Sequence, residues 1–268
     1  FYGEWNILEN LKITARAGIT LQNTESDLFK PANHTDYLSI PTWSESYTTR
    51  GQYTKGNGKI FNSSFDAGIN YSLIKDKHLL FTNATYSIQQ NESQNYSTTV
   101  VGFPSDKLDY IGAGNNYIDG KPIGNEATTR AIGLTTALNY SYDNRYLLDL
   151  SWRLSGSSQF GAESRFGKFW SVGAGWNLHN ESFLQNSKTI QSMKLRSSIG
   201  YTGSQNFSAY QAISTYNYIT NQIYNGDLGL VISSLSNESL MWQRQFDRNI
   251  GLDMQLFKLA TLRLDMYS

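Results

Sequence analysis

The chain has 268 residues with 22 Lys or Arg and 22 Asp or Glu, so its formal charge is zero. A neutral chain without a long basic run lacks the cations that phosphate binding requires, which excludes nucleic acid as a partner. Because there is no cysteine, a disulfide framework, a thiolate nucleophile and a cysteine metal site are also excluded.

Alternation of apolar and polar residues predicts about ten β-strands along the chain. A short stub at 1–7 comes first. Strict alternation over a longer window indicates a strand with one apolar and one polar face. Such windows follow in chain order at 12–21, 61–71, 78–90, 132–142, 146–154, 170–178, 193–202, 249–256 and 261–266. Several of them reach the ~9–11 residues that a tilted strand needs to cross a bilayer.

The predicted connections alternate between long and short. The long ones are 23–58, 91–127, 155–167 and 203–242. Tight turns are predicted at 8–10, 74–77, 143–145 and 257–259. Long loops at one end and short turns at the other are typical of outer-membrane barrels. The connection 179–192 is the exception on the short side, and we expect a short helix at 181–190.

The two faces of the predicted strands differ in chemistry. Aromatic residues lie near strand ends on the apolar face, as in the interfacial girdles of a barrel: Tyr140, Tyr142, Tyr146, Trp170 and Trp176. The alternative is core packing in a soluble sheet. The opposite face carries charges that fit a wet or plugged lumen better than a dry core: Asp66, Asp149, Arg153 and Asp253.

Four segments resemble the barrel of SusC/RagA-type TonB-dependent outer-membrane transporters. They are RYLLDLSWRLSGSSQFG at 145–161, RFGKFWSVGAGW at 165–176, LRSSIGYTGSQN at 195–206 and RNIGLD at 248–253. The sequence departs from the family's usual residues at Ser155, Trp170 and Ser204. Residues 1–138 match mainly in layout.

The resemblance implies a barrel of roughly 22 strands around a plug. We therefore expect 1–268 to form about ten strands of a larger antiparallel transmembrane barrel, as an internal piece without the plug domain and TonB box. It further implies outer-membrane localisation, contact with lipid, a SusD-like surface lipoprotein as lid, and TonB acting through the N-terminal part. The implied function is import of oligosaccharide or peptide, with carbohydrate the first expectation.

Aromatic rings in the long connections are the candidate substrate contacts. Rings with Asn and Gln nearby suit sugars or peptides, because they combine an apolar platform with orienting hydrogen bonds. The alternative is that these rings pack the loops onto each other. The candidates are Trp43, Tyr47, Tyr53, Tyr96, Tyr110, Tyr117, Tyr216 and Tyr218.

Catalytic chemistry is not visible in the sequence. His34, His78 and His179 are far apart and none has the spacing of a metal-ligand pair. Asp106, Asp109 and Asp119 cluster in one long connection and raise the question of calcium, but a solvated loop explains them better. We expect no enzyme activity, no cofactor and no resident metal.

Three other functions remain open at this stage. A self-contained small barrel would act as a passive pore or adhesin, and pairing of its first strand with its last would support it. A soluble all-β binding module is a second alternative, against which the alternating loops and aromatic bands argue. An enzyme on a barrel scaffold is a remote third.

Overall fold

The computed structural model describes residues 1–118, 120–161, 163–205, 207–257 and 259–268, with side chains except at 220–222 and 224. In this part of the chain we find no helix long and apolar enough to cross a membrane. The strands are β1 (Tyr2–Leu8), β2 (Leu11–Lys30), β3 (Gln52–Lys75), β4 (His78–Val101), β5 (Asn116–Tyr117), β6 (Ile123–Tyr142), β7 (Tyr146–Ser157), β8 (Phe166–Asn177), β9 (Ile190–Ser204), β10 (Thr215–Tyr224), β11 (Asp227–Ser234), β12 (Gln243–Leu256) and β13 (Ala260–Tyr267).

Eleven strands form one sheet in the order β1-β2-β3-β4-β6-β7-β8-β9-β12-β13, with β5 beside β4. The remaining two strands, β10 and β11, pair with each other. Pairings from β6 to β13 are antiparallel, with each strand beside its predecessor in the main order. The predicted all-β antiparallel class is therefore confirmed. Each predicted window coincides with a strand, except that 1–7 begins one residue before β1 and 170–178 ends one residue after β8.

The alternation of connections is confirmed except around β8, where the loop before the strand (158–165) is shorter than the segment after it (178–189). Short turns join β1 to β2, β3 to β4, β6 to β7 and β12 to β13, whereas long segments follow β2, β4 and β9. The turn after β6 has left-handed backbone at both Asp143 and Asn144, with φ of 53° and 51°. Such a turn matches the right-handed twist of the strands that it joins.

The predicted helix at 181–190 is wrong. The segment begins with a single 3-10 turn (Leu178–Asn180). Isolated turns follow, in which the amide of Leu184 donates to the carbonyl of Glu181 at 2.9 Å and that of Ser187 donates to Leu184 at 2.9 Å. Asn and Ser have poor helix propensity because their side chains compete for backbone hydrogen bonds. The Ser187 hydroxyl shows this, since it accepts from the amide of Ile190 at 3.1 Å.

Several strands continue far into the predicted loops. β3 and β4 each have 24 residues, and β2 and β6 each have 20. The loop predicted at 203–242 contains the hairpin β10–β11, whose Asn225 and Gly226 have φ of 50° and 91°. Strands that extend beyond a bilayer are wet on both faces, so apolar alternation no longer marks them.

The chain divides into two units. Unit 1 comprises residues 1–18, 64–89 and 129–268, and unit 2 comprises 19–63 and 90–128. Buried apolar residues among those described are few, and most lie near the long connections: Tyr53, Val100, Val101 and Phe103 in unit 2, and Phe160, Phe169 and Ala212 in unit 1. The middle of the sheet in unit 1 thus lacks a dry core, although its apolar side chains are large.

Candidate functional site

One face of the unit 1 sheet is a continuous apolar surface, which we call the apolar face. Register places Leu138 beside Leu150, Leu150 beside Val172, and Val172 beside Ile199. Leu150 is 37% exposed. Water on such a surface is costly at ~25 cal/mol per Å². The apolar face therefore needs a lipid or protein cover.

Two aromatic rows flank these aliphatic side chains on the apolar face. The row near the short turns contains Tyr142, Tyr146 and Trp176, with successive ring centres 6.5 and 6.2 Å apart. The row toward the long connections contains Trp152, Trp170, Tyr201 and Phe246. Trp152 lies six positions after Tyr146 on β7, about 20 Å along the strand at ~3.4 Å per residue. The two rows thus bound an aliphatic band, as the aromatic girdles of outer-membrane barrels do.

The predicted girdle residues take their places in or beside these rows. Trp170 contacts Tyr201, with ring centres 5.9 Å apart. Tyr140 lies next to the row near the short turns, and its hydroxyl is 2.7 Å from Nδ1 of His78. Arg248 is the charged exception beside Ile199, and its guanidinium carbon lies 4.9 Å from the centre of the Phe246 ring. A long side chain of this kind can carry its charge toward an interface.

The opposite face of unit 1, the polar face, consists of hydrogen-bonded side chains. Asn139 donates to Asp149 at 2.6 Å, the hydroxyls of Ser151 and Ser171 lie 2.7 Å apart, and Thr202 donates to Asp247 at 2.9 Å. Near the short turns Arg196 donates to Asp253 at 3.0 Å and to Asp265 at 2.5 Å. Such a face suits water rather than a second packed sheet.

Glu181 ties the segment after β8 to the neighbouring strands. Its Oε1 accepts from Nε1 of Trp176 and from the hydroxyl of Tyr146, both at 3.0 Å, and its Oε2 lies 3.5 Å from Arg145. These donors stabilise the charged form, so the pKa of Glu181 is lowered, mainly by the Trp176 hydrogen bond. The carboxylate thus connects the segment after β8 to β7, β8 and the turn before β7 at the short-turn end.

A pocket of about 470 Å³ lies toward the long-connection end of unit 1, and we call it the Arg153 pocket. Polar-face residues line it, including Thr135, Ser151 and Ser171 together with Gln205. Arg153 projects from β7 between its neighbours Thr135 and Phe169, and its Nε donates to Ser155 at 2.8 Å. A volume in this range is that of a ligand pocket.

Aromatic packing fixes one wall of the Arg153 pocket. Phe160 is only 2% exposed, and its ring centre lies 4.6 Å from that of Trp242 and 5.7 Å from that of Phe207. Trp242 also contacts Phe169 at 5.5 Å, and its Nε1 donates to the carbonyl of Arg165 at 3.3 Å. The loop between β7 and β8 is therefore joined to the segment before β12.

Glycine at 203 makes room for this wall. A Cβ at Gly203 would overlap the Phe169 ring at Cε1, and a small shift of the ring could not relieve the overlap. The Phe169 ring is 7% exposed and so has little space into which to move. The close approach of ring and backbone therefore requires glycine at this position.

Of the eight candidates predicted from sequence, three lie in or beside the long connection before β3. Trp43 is 85% exposed. Tyr47 lies in a 3-10 turn (Glu45–Thr49), with the guanidinium carbon of Arg50 3.4 Å from its ring centre. Tyr53 is buried at 9% exposure and donates to Asp27 at 2.6 Å. Its ring packs with Phe29 and Phe103, with centres 6.2 and 6.4 Å away.

The other five candidates are exposed and distributed. Tyr96 lies on β4, where it lines a groove of about 640 Å³ in unit 2 with Asn57, Asn95 and Asn125. Tyr110 precedes a 3-10 turn and Tyr117 lies on β5, whereas Tyr216 and Tyr218 lie on the hairpin strand β10. In the described residues no two of the eight candidate rings contact each other.

Sequence reasoning did not place Trp242 or Gln205 in a site. For Arg153 the sequence indicated only the face of the sheet, because the alternation in β7 places this arginine with Asp149 on the polar side. The pocket additionally requires a segment almost 40 residues beyond β9 to fold back over β8, for which no local pattern exists.

Across the residues with described positions, no three His, Asp or Glu side chains come together as a metal site. Asp119, one of the three aspartates considered for calcium, lies outside the described residues. Nδ1 of His179 lies 3.3 Å from the amide of Met193 and 3.1 Å from its carbonyl. That contact positions a turn residue.

Solved transporter structures match nearly the whole chain. The RagAB peptide transporter aligns with a TM-score of 0.86 at 26% identity, over 99% of this chain and 28% of that chain. The RagAB peptide importer in its "closed-closed" and "open-open" states aligns with TM-scores of 0.85 and 0.84, both at 25% identity with the same coverage. No family model matches the sequence, and no curated protein matches it.

The fold and its two faces define part of a transmembrane antiparallel barrel. The chain spans about 28% of the length of the structures that it matches. The resemblance to the barrel of SusC/RagA-type TonB-dependent transporters is thereby confirmed, since the match covers the motif-bearing half and also residues 1–138.

Proposed function

We propose that this chain forms part of the barrel wall and extracellular loops of an outer-membrane, TonB-dependent transporter that imports peptides. The observation that carries this proposal is the alignment of 99% of the chain with the RagAB peptide transporter at a TM-score of 0.86. The apolar face with its two aromatic rows supports a lipid-facing wall, and the polar face supports a water-filled or plugged interior.

Peptide replaces oligosaccharide as the preferred substrate. The sequence alone allowed both and put carbohydrate first, because aromatic rings with amides suit either ligand. The matched structures are named as a peptide importer, which favours peptide for this chain. The neighbours are transporters, in agreement with the expectation that this chain is not an enzyme.

The partners that we propose are those that the resemblance implies. A SusD-like surface lipoprotein would cover the long connections, TonB would act through a plug outside 1–268, and outer-membrane lipid would cover the apolar face.

The self-contained small barrel receives no support from strand pairing. In the described part of the chain β1 pairs with β2 and β13 with β12, and the sheet order does not return from β13 to β1. A soluble binding module is disfavoured because the apolar face would remain in water.

Uptake by cells tests the proposal. Deletion of the gene that encodes this chain should abolish growth on, and uptake of, fluorescent peptides that the parent strain imports, and a TonB deletion should do the same. Neutral oligosaccharides serve as the control and should enter both strains equally. Equal peptide uptake by the deletion and parent strains would overturn the proposal, and selective loss of oligosaccharide uptake would replace peptide with glycan.

A further inference from the structure

We propose that Arg153 binds a carboxylate of the imported peptide in the Arg153 pocket. This inference rests on the proposed function and assigns one contact within it. It names an acidic group on the substrate, either a side-chain carboxylate or the C-terminus, as the group that the pocket recognises.

The guanidinium of Arg153 is available for a ligand. Arg153 is exposed on the polar face, and its Nε donates to the Ser155 hydroxyl at 2.8 Å. Among the described residues no carboxylate forms an ion pair with it. Asp149, four residues earlier on β7, already accepts from Asn139 at 2.6 Å. The Nη groups therefore keep donors in the planar geometry that a carboxylate accepts.

Arg196 provides the internal comparison. It lies on the same face of the sheet, near the short turns, and binds both Asp253 and Asp265. Its charge is thus compensated inside the sheet, as expected of a structural arginine. Where Arg196 has carboxylates as neighbours, Arg153 has hydroxyls and an aromatic ring. Its positive charge is therefore left for a substrate to neutralise.

The surroundings of Arg153 suit a peptide. Hydroxyls of Thr135, Ser151 and Ser171 can bond to main-chain amides and carbonyls, and the rings of Phe169 and Trp242 offer an apolar surface for an adjacent side chain. The wall is held by packing of Phe160 and Trp242 rather than formed on demand. A preformed pocket loses less entropy when a ligand binds.

The place of the pocket along the strand agrees with substrate entry. Arg153 lies four residues before the end of β7 at Ser157, on the side of the long connections. These connections are the extracellular loops in the proposed orientation. A peptide released from the lid would meet this arginine before it reached the charged network of Arg196.

Binding to the intact transporter tests the inference. A fluorescent peptide with one Glu and an amidated C-terminus is compared with its Gln counterpart and with the Gln peptide bearing a free C-terminus. Arg153→Gln should weaken binding of each carboxylate peptide about tenfold, equal to about 1.4 kcal/mol, and leave the uncharged peptide unchanged. Arg153→Lys should recover part of the loss.

The control is Arg263→Gln, which removes an exposed cation from β13, beside Asp253 and far along the sheet from the pocket. It should leave all three affinities at the wild-type level. Equal weakening of charged and uncharged peptides by Arg153→Gln, or no change in any affinity, would overturn the assignment. If the wild-type transporter bound none of the peptides, the proposed peptide function itself would fail.

Discussion

At the scale of single residues, several charges of unit 1 are explained by a specific partner. Glu181 is the clearest case, since one carboxylate receives an indole N–H, a phenol O–H and the guanidinium of Arg145. It joins the turn at 143–145, the end of β8 and the segment that follows. Loss of this carboxylate's charge should therefore lower the stability of the short-turn end of unit 1.

Glu181 makes the stability of the transporter depend on pH. Its pKa is lowered in the folded chain from its ordinary value of 4.5, so its stabilisation is present above pH 4.5 and is lost as pH falls through the lower, folded value. Glu181→Gln should therefore lower the unfolding temperature at pH 7, and the difference from wild type should shrink as pH falls below 4.5. Thermal unfolding in detergent across this range measures the difference.

Glu163→Gln is the matched control for this prediction. Glu163 lies exposed in the loop between β7 and β8, and it forms no ion pair with any residue in the described part of the chain. Its substitution should leave the unfolding temperature unchanged at every pH. A Glu181→Gln deficit of constant size from pH 7 to pH 3 would contradict the role assigned to the charge.

At the scale of elements, turns carry chemistry that can be read from sequence. The turn after β6 needs left-handed backbone at Asn144, whose carbonyl also accepts from the side chains of Asn177 and Asn180 at 2.7 and 2.8 Å. Glycine keeps both the conformation and the carbonyl. A β-branched residue in this conformation costs about 1–2 kcal/mol.

We expect Asn144→Gly to fold like wild type and Asn144→Val to lose about 1–2 kcal/mol of unfolding free energy. Urea unfolding of the transporter in detergent micelles compares the two variants under one condition. The pair shares the loss of the asparagine side chain, so only the backbone requirement separates them. Equal stability of the two variants would show that the turn tolerates another conformation.

The two faces of a strand should respond oppositely to charge. Leu150→Arg places a cation between the two aromatic rows on the apolar face, where it should cost about 2–4 kcal/mol of unfolding free energy. Ser151→Arg, one residue along β7, reaches the polar face and should cost little. Folding yield into lipid vesicles and urea unfolding measure both. A larger penalty at Ser151 would reverse the assignment of the faces.

The strands between the aromatic rows were predictable because their successive side chains point alternately toward lipid and toward water. The predictions at 132–142 and 146–154 fall inside β6 and β7 for this reason. The ends of β2, β3, β4 and β6 were not predicted, because a strand wet on both faces carries no alternation. The hairpin β10–β11 had a usable signal in Asn225-Gly226, the dipeptide that tight hairpin turns favour.

The candidate site was less predictable than the fold. Tyr53 is of a residue type that suits ligand binding, but its ring packs against Phe29 and Phe103. Arg153 was placed on the correct face by period alone, whereas its pocket depends on Trp242, which lies far along the chain. Residue type identifies an aromatic ring, but tertiary packing decides whether the ring remains free for a ligand.

At the scale of the whole molecule, the sheet of unit 1 has two unlike faces, and few apolar side chains among its described residues are buried. A membrane barrel resolves this arrangement, because lipid covers one face and water or a plug fills the other. The matched RagAB structure is consistent with this assignment, since a similar sheet forms part of its longer chain, of which the match covers 28%.

The assignment of the two faces is tested most directly by spin-label accessibility at Ser171 and Val172 on β8. Each position is replaced by a labelled cysteine in the full transporter, without other cysteines, in outer-membrane vesicles. We predict that the label at 172 is relaxed by dissolved oxygen and shielded from a water-soluble nickel complex, and that the label at 171 shows the reverse. Nickel access at 172 equal to or greater than that at 171 would contradict a lipid-facing apolar surface.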